Sequence, residues 1–203
     1  MRKFIAYCKN DGFFNAIKYG CATITGKLYR HSETEFVKIR IDKSWDVPTI
    51  PNYEIRPISV DKIILLDFPR LLSQPWQQWF DLGSELYVGF YNDEPVTYSW
   101  IHYAYHDMGE LGRFMLKKGE CWVGPTFVDN RYRGKGLNKT QMLQNFKDAK
   151  ATMAFGSFNT ENTASRVSCL KVGFEIYGKA VYTKLLFSKK VKIEGDFLKE
   201  HLK

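Results

Sequence analysis

The sequence predicts a single α+β domain with short basic additions at both ends. Three observations carry that reading. Apolar periodicity gives an element order β-α-α-β-β-β-α-β-α-β. A proline-bearing run leads into a turn of small and basic residues. A helix opens directly after that turn. With 203 residues, 44% hydrophobic and 16% aromatic, the chain is long enough for one well-filled core.

Residues 1–50 read as a basic extension with a helix and a strand. Phe13, Phe14, Ala16 and Ile17 have helical spacing behind Asn10 or Asp11 as a cap. Glu35 to Asp42 alternates apolar and polar, as a half-buried strand does. Pro48 and Pro51 make a stiff connection, and the main domain is placed at 51–188. It starts with a strand from Tyr53 to Ser59. A helix from Lys62 to Phe68 follows, with Asp61 as cap and Pro69 as stop. The spacing predicts a second helix from an N-cap at Ser73, with Pro75 in its first turn. Glu85–Tyr91 and Val96–Tyr105 form a hairpin around Asn92 to Pro95. The polar segment 106–119 leads to the run Glu120–Val128. A helix from Leu137 to Lys150, a strand to Phe158, a short helix from Asn162 to Leu170 and one or two last strands up to Leu186 complete the domain. Residues 189–203 read as a basic tail.

Charge sharpens the picture. The net charge is +8, yet residues 45–183 are formally neutral; residues 1–44 carry +5 and residues 184–203 carry +3. A nucleic-acid enzyme gathers positive charge around its working face, so no nucleic-acid partner is expected. Basic ends fit solvated tails or weak contact with an anionic membrane surface. No apolar run is long enough to span a bilayer, and the first residues lack a signal-peptide pattern, so a cytoplasmic location is expected. Cys8, Cys21, Cys121 and Cys169 are scattered, with neither disulfide nor metal spacing. Reduced thiols and no metal are expected.

The chemistry concentrates between Thr126 and Thr140. Gly134 and Gly136 lie two apart among Arg131, Arg133, Lys135 and Lys139, just before a helix. Such a turn presents backbone N–H groups and a partial positive charge to an anion. By itself, Gly-x-Gly also serves any tight turn between a strand and a helix. Arg131-x-x-Gly134-x-Gly136, however, resembles the phosphate-binding motif of the GNAT (GCN5-related N-acetyltransferase) family. A second segment, with Asn162, Ser165, Cys169, Gly173 and Phe174, follows at the separation such proteins show. The resemblance covers roughly residues 53–188.

What the resemblance implies is as follows. The fold is an α/β/α-layered acyl-CoA N-acyltransferase fold, with a mixed, mostly antiparallel sheet splayed between its fourth and fifth core strands. Acetyl-CoA is the co-substrate and lies in the opening, bonded by backbone groups near Phe127 and Val128. Its pyrophosphate faces the amides of Arg133, Gly134, Lys135, Gly136, Leu137 and Asn138, with charge added by Arg131, Lys135 and Lys139. Asn162 and Ser165 lie beside the pantetheine arm, unless both serve only to cap a helix. Pro125 falls about where the strands would part. Cys169 occupies the position at which many relatives have a tyrosine acid, and Tyr177 or Tyr182 are substitutes for that role. Glu120, His102 and His106 are the candidates for a base, against the plain reading of each as a satisfied core or surface residue. Asp129 is read as shaping the turn. The expected activity is acetyl transfer to a primary amine of a small molecule, such as an amino sugar of polysaccharide biosynthesis. Acetylation of a protein N-terminus or lysine, and a non-catalytic CoA-binding or scaffold role, are the alternatives.

Overall fold

The computed structural model describes residues 29–202. The helix expected around Phe13 lies outside them. One sheet of eight strands organises the chain, in the order β2-β3-β4-β7-β8-β1-β9-β10. Its strands are β1 (Tyr29–Arg40), β2 (Tyr53–Ile58), β3 (Glu85–Tyr91), β4 (Glu94–His102), β7 (Glu120–Val128), β8 (Met153–Asn159), β9 (Glu175–Leu185) and β10 (Ser188–Glu194). Every neighbouring pair is antiparallel except β7 and β8. A small hairpin, β5 (Tyr105–Asp107) and β6 (Arg113–Met115), stands outside the sheet.

The place of β1 differs most from the sequence reading. Expected in an N-terminal extension, it is an inner strand, bonded to β8 on one side and β9 on the other. Phe36 and Val37 on it are wholly buried, one on each face. The chain then crosses to the far edge of the sheet. On the way Trp45 packs against Phe146, with ring centroids 6.0 Å apart.

Helices cover both faces. On one side lie α4 (Leu137–Asp148) and α5 (Thr163–Val172), packed through Met142, Leu143, Phe146 and Phe174 onto Val37, Ile101, Cys121 and Val123. Lys43 holds the end of α4, donating to the carbonyls of Phe146 at 2.6 Å and Lys147 at 3.1 Å, and to that of Ala149. A cation there satisfies orphan carbonyls at the negative end of the helix. On the other side three short turns, α1 (Val60–Ile63), α2 (Pro69–Leu72) and α3 (Trp76–Asp81), pack Ile63, Leu71 and the half-buried Trp79 against Leu86, Val88 and Trp100. The β5–β6 hairpin and α6 (Asp196–His201) continue this layer, with Phe114 and Leu198 fully buried.

Four element readings change. The helix expected over 62–68 is a single turn that ends at Ile63, and Pro69, which lacks an N–H, begins a separate turn, α2. Ser59, not Asp61, stands at the N-cap of the first. Pro75, not Ser73, stands at the N-cap of α3; the Ser73 hydroxyl donates back to the Arg70 carbonyl at 2.8 Å. The 189–203 segment is not a tail: β10 pairs with β9 through Glu194, and α6 closes over the sheet.

Candidate active site

The site is a fork in the sheet. β7 and β8 run parallel and pair only at Glu120 with Met153, Cys121 with Ala154 and Trp122 with Phe155. Beyond that point β7 stays with β4, as far as Val128 opposite Thr97, and β8 stays with β1. The facing edges from Val123 to Val128 and from Gly156 to Asn159 therefore lack ladder partners. Pro125 sits at the start of the opening, preceded by a cis peptide bond from Gly124. Proline has no N–H to leave unpaired there.

At the far end of β7 the chain turns into α4. Asp129 shapes this turn, accepting from the Arg131 amide at 2.9 Å. Gly134 and Gly136 both have φ +79°, and Gly136 is the N-cap of α4 with no side-chain acceptor on the first amides. A Cβ at either glycine would meet no protein atom within 4 Å. Packing does not demand glycine, then; the left-handed backbone does, and the first amides of α4 have no side-chain acceptor. Leu137, only 1% exposed, anchors the turn to the core.

The charged side chains around this cradle are less available than the sequence suggests. Arg131 bonds Asp129 at 2.9 Å and Glu94 at 2.5 Å. Lys135 lies over the rings of Tyr91 and Tyr132, at 4.8 and 5.2 Å. The Arg133 side chain points back to the Val128 carbonyl. Asn138 donates to Ser168 at 2.6 Å and ties α4 to α5. The main-chain N–H groups at the start of α4, by contrast, are engaged by no side-chain cap.

Asn162 is the N-cap of α5 and accepts from the Ser165 amide at 3.1 Å. Both residues also border a cavity of about 540 Å³ that passes through the opening. Its other walls are Gly124 to Thr126, Ser157 to Asn159, the small polar residues Ser32 and Thr34 of β1, and the loop from His106 to Leu111. Behind the fork a second space of about 50 Å³ is bounded by Val123, Asn138, Ser165 and Cys169. Cys169 thus sits beside the opening, and burial pushes its thiol up to about 11.

The imidazoles lie deeper. His106 stacks on Trp122 at 4.5 Å, and His102 is 5.3 Å from His106. His102 Nδ1 bonds the Ser84 hydroxyl at 2.8 Å, while its Nε2 is buried without a hydrogen-bond partner among the described residues. Burial pushes His102 down to about 4; burial, and then the charge of His102, push His106 down to about 3. Groups this reluctant to bind a proton are neutral at pH 7 and weak as bases. Glu120 lies on the paired side of the fork and is engaged by His201 at 3.2 Å and by the Lys117 amide at 2.8 Å. Tyr177 packs on Phe36 and Phe155. Tyr182 borders the cavity, its buried hydroxyl without a hydrogen-bond partner among the described residues.

The sequence reading missed Trp122 as the wall beside the fork and β1 as a side of the cavity. The alternation of Ser32 and Thr34 was the available signal for the latter.

No protein-family model matches the chain, and no curated protein does. Solved structures do. A tandem GNAT protein from the clavulanic acid biosynthesis pathway matches with TM-score 0.55 and 15% identity, over 85% of this chain and 59% of that one. A GCN5-related N-acetyltransferase from Sphaerobacter thermophilus matches with TM-score 0.53 and 13% identity, over 88% and 57%. A fungal multi-domain β-N-acetylglucosaminidase with a GCN5-related glucosamine N-acetyltransferase region matches with TM-score 0.54 and 14% identity, over 82% and 22%. The chain thus spans less than two thirds of each of these proteins. At such identities the likeness concerns architecture, and together with the forked sheet and the glycine-led helix it establishes that this chain has the GNAT fold.

Proposed function

We propose that the protein is an acetyl-CoA-dependent N-acetyltransferase acting on a primary amine of a small molecule. The observation that carries this reading is the fork: an unpaired strand edge leading straight to amides at the start of α4 that no side chain caps. An extended pantetheine arm completes the edge as an added strand does, and a diphosphate fits the amide cradle. Acetyl-CoA supplies an activated thioester. In this reading that group lies at the mouth of the 540 Å³ cavity, where an N–H of the open β7 edge would stabilise charge developing on the carbonyl oxygen. Since the imidazoles stay neutral, the amine proton leaves to solvent rather than to His102 or His106. Cys169, protonated at neutral pH, borders the small space behind the fork and is the candidate donor to the leaving thiolate. The Tyr182 hydroxyl is available to orient the acceptor.

An amino sugar fits the hydroxyl-lined wall of Ser32, Thr34 and Ser157, and one fold neighbour is described as a glucosamine N-acetyltransferase region. The second reading, CoA binding without turnover, draws on the cysteine at position 169. Thiol release from acetyl-CoA over a panel of amines, amino sugars included, separates the two. Release with at least one amine, abolished in Gly136→Val, supports the transferase. Stabilisation by acetyl-CoA with no release on any amine supports the non-catalytic reading.

A further inference from the structure

The hairpin joining β9 to β10 has an unusual tip. Its two-residue turn is Leu186-Phe187, between the paired residues Leu185 and Ser188. Turns of this length favour asparagine and glycine, because the first position takes positive φ. Here Leu186 holds φ +52°, a costly conformation for a branched apolar side chain. The result is that Leu185, Leu186 and Phe187 are 59%, 52% and 102% exposed. Tyr29, directly opposite Leu185 on β1, is 53% exposed. Four large apolar side chains thus project together into water from one end of the sheet.

A basic collar lies just behind them. Arg30, Lys184 and Lys189 are cross-strand partners on three adjacent strands, so they share one face. Lys190 lies on the opposite face of the hairpin, level with Thr183. Among the described residues one carboxylate, Glu110, is paired with this group, to Lys189 at 2.8 Å. Lys189 foremost, then Lys184 and Arg30, hold its carboxyl below the usual range. An apolar tip with cations at its base has the amphipathic order of a bilayer interface, where acyl chains lie beneath anionic headgroups. The collar also borders the cavity, since Arg30 and Glu110 form part of its wall.

We propose that the β9–β10 hairpin docks the protein on an anionic bilayer surface, with Leu186 and Phe187 inserted and Arg30, Lys184, Lys189 and Lys190 on the headgroups. The cavity mouth then lies beside the membrane. This inference does not depend on acetyl transfer.

Leu186→Asn combined with Phe187→Gly tests it cleanly, because Asn-Gly suits such a turn and preserves the hairpin. The full chain is sedimented with vesicles of phosphatidylcholine alone or mixed with phosphatidylglycerol, at low and high salt. The expected result is binding to the mixed vesicles that weakens with salt. The double variant, with unchanged or higher thermal stability, should bind about tenfold or more weakly. Lys189→Gln with Lys190→Gln should weaken binding about fivefold per lysine. Failure of the wild-type chain to bind overturns the proposal. So does undiminished binding by the Asn-Gly variant, which would place contact elsewhere on the chain. A wild-type chain that is a dimer in the ultracentrifuge and a monomer as the Asn-Gly variant, without lipid binding, would make the tip a contact between copies and also overturn it.

Discussion

The buried imidazole of His102 and the half-buried one of His106, which stacks on Trp122, give the protein a measurable dependence on pH. His102 is pushed down to about 4 and His106 to about 3, from an ordinary value of 6.5. In the unfolded chain both bind a proton as pH falls through 6.5; in the folded chain neither does until far lower. Between those limits the unfolded state holds more protons, so stability is complete above pH 6.5 and declines as pH falls toward 4. Each histidine costs about 2 kcal/mol by pH 5, and the pair roughly 4 kcal/mol. That is a large share of a typical domain's stability. Urea denaturation at several pH values between 8 and 5 measures it. His106→Gln should reduce the loss by about half, since one titrating group is gone. A wild-type stability that is flat from pH 7.5 to 5, or an unchanged slope in His106→Gln, would refute burial as the cause.

The same burial predicts that kcat/KM rises as the acceptor ammonium loses its proton and shows no inflection near 6.5; a clear inflection there would restore an imidazole as base. Gly136→Val places a β-branched residue at φ +79°, costing about 1–3 kcal/mol of stability, and should remove acetyl-CoA binding measured by calorimetry. Cys169→Ala should leave acetyl-CoA affinity within a few-fold while lowering kcat if the thiol donates a proton; full kcat removes it from the reaction. Leu198→Ala, at a wholly buried position, should cost about 2–5 kcal/mol in urea denaturation, where a residue in a solvated tail would cost almost nothing.

Local order was legible where residues act on their neighbours in sequence. Gly134 and Gly136 announce a left-handed turn ahead of a helix, and Asn162 announces a cap that the Ser165 amide confirms. Pro125 marks a break in the ladder, and the strands part beside it. What could not be read depends on partners distant in sequence. Glu35 to Asp42 reads as a half-buried strand, but nothing in its alternation says that β8 and β9 enclose it. The basic residues after Ser188 suggest solvated chain, yet pairing with β9 fixes the backbone while their side chains remain in water. Arg131 has the right spacing for a phosphate; only the fold brings Glu94, the first residue of β4, to 2.5 Å from it to compete. His102 and His106 are candidates for a base by residue type, and only burial among Trp79, Trp100 and Trp122 removes that capacity.

Backbone amide NMR of the uniformly labelled protein, titrated with acetyl-CoA, tests the central claim most directly. The account predicts saturable shifts centred on Gly134 to Lys139 and on the open edge from Val123 to Val128, with the paired segment of β2 and β3 unmoved. Amides of the cradle and of the open edge that stay in place at millimolar acetyl-CoA would contradict it.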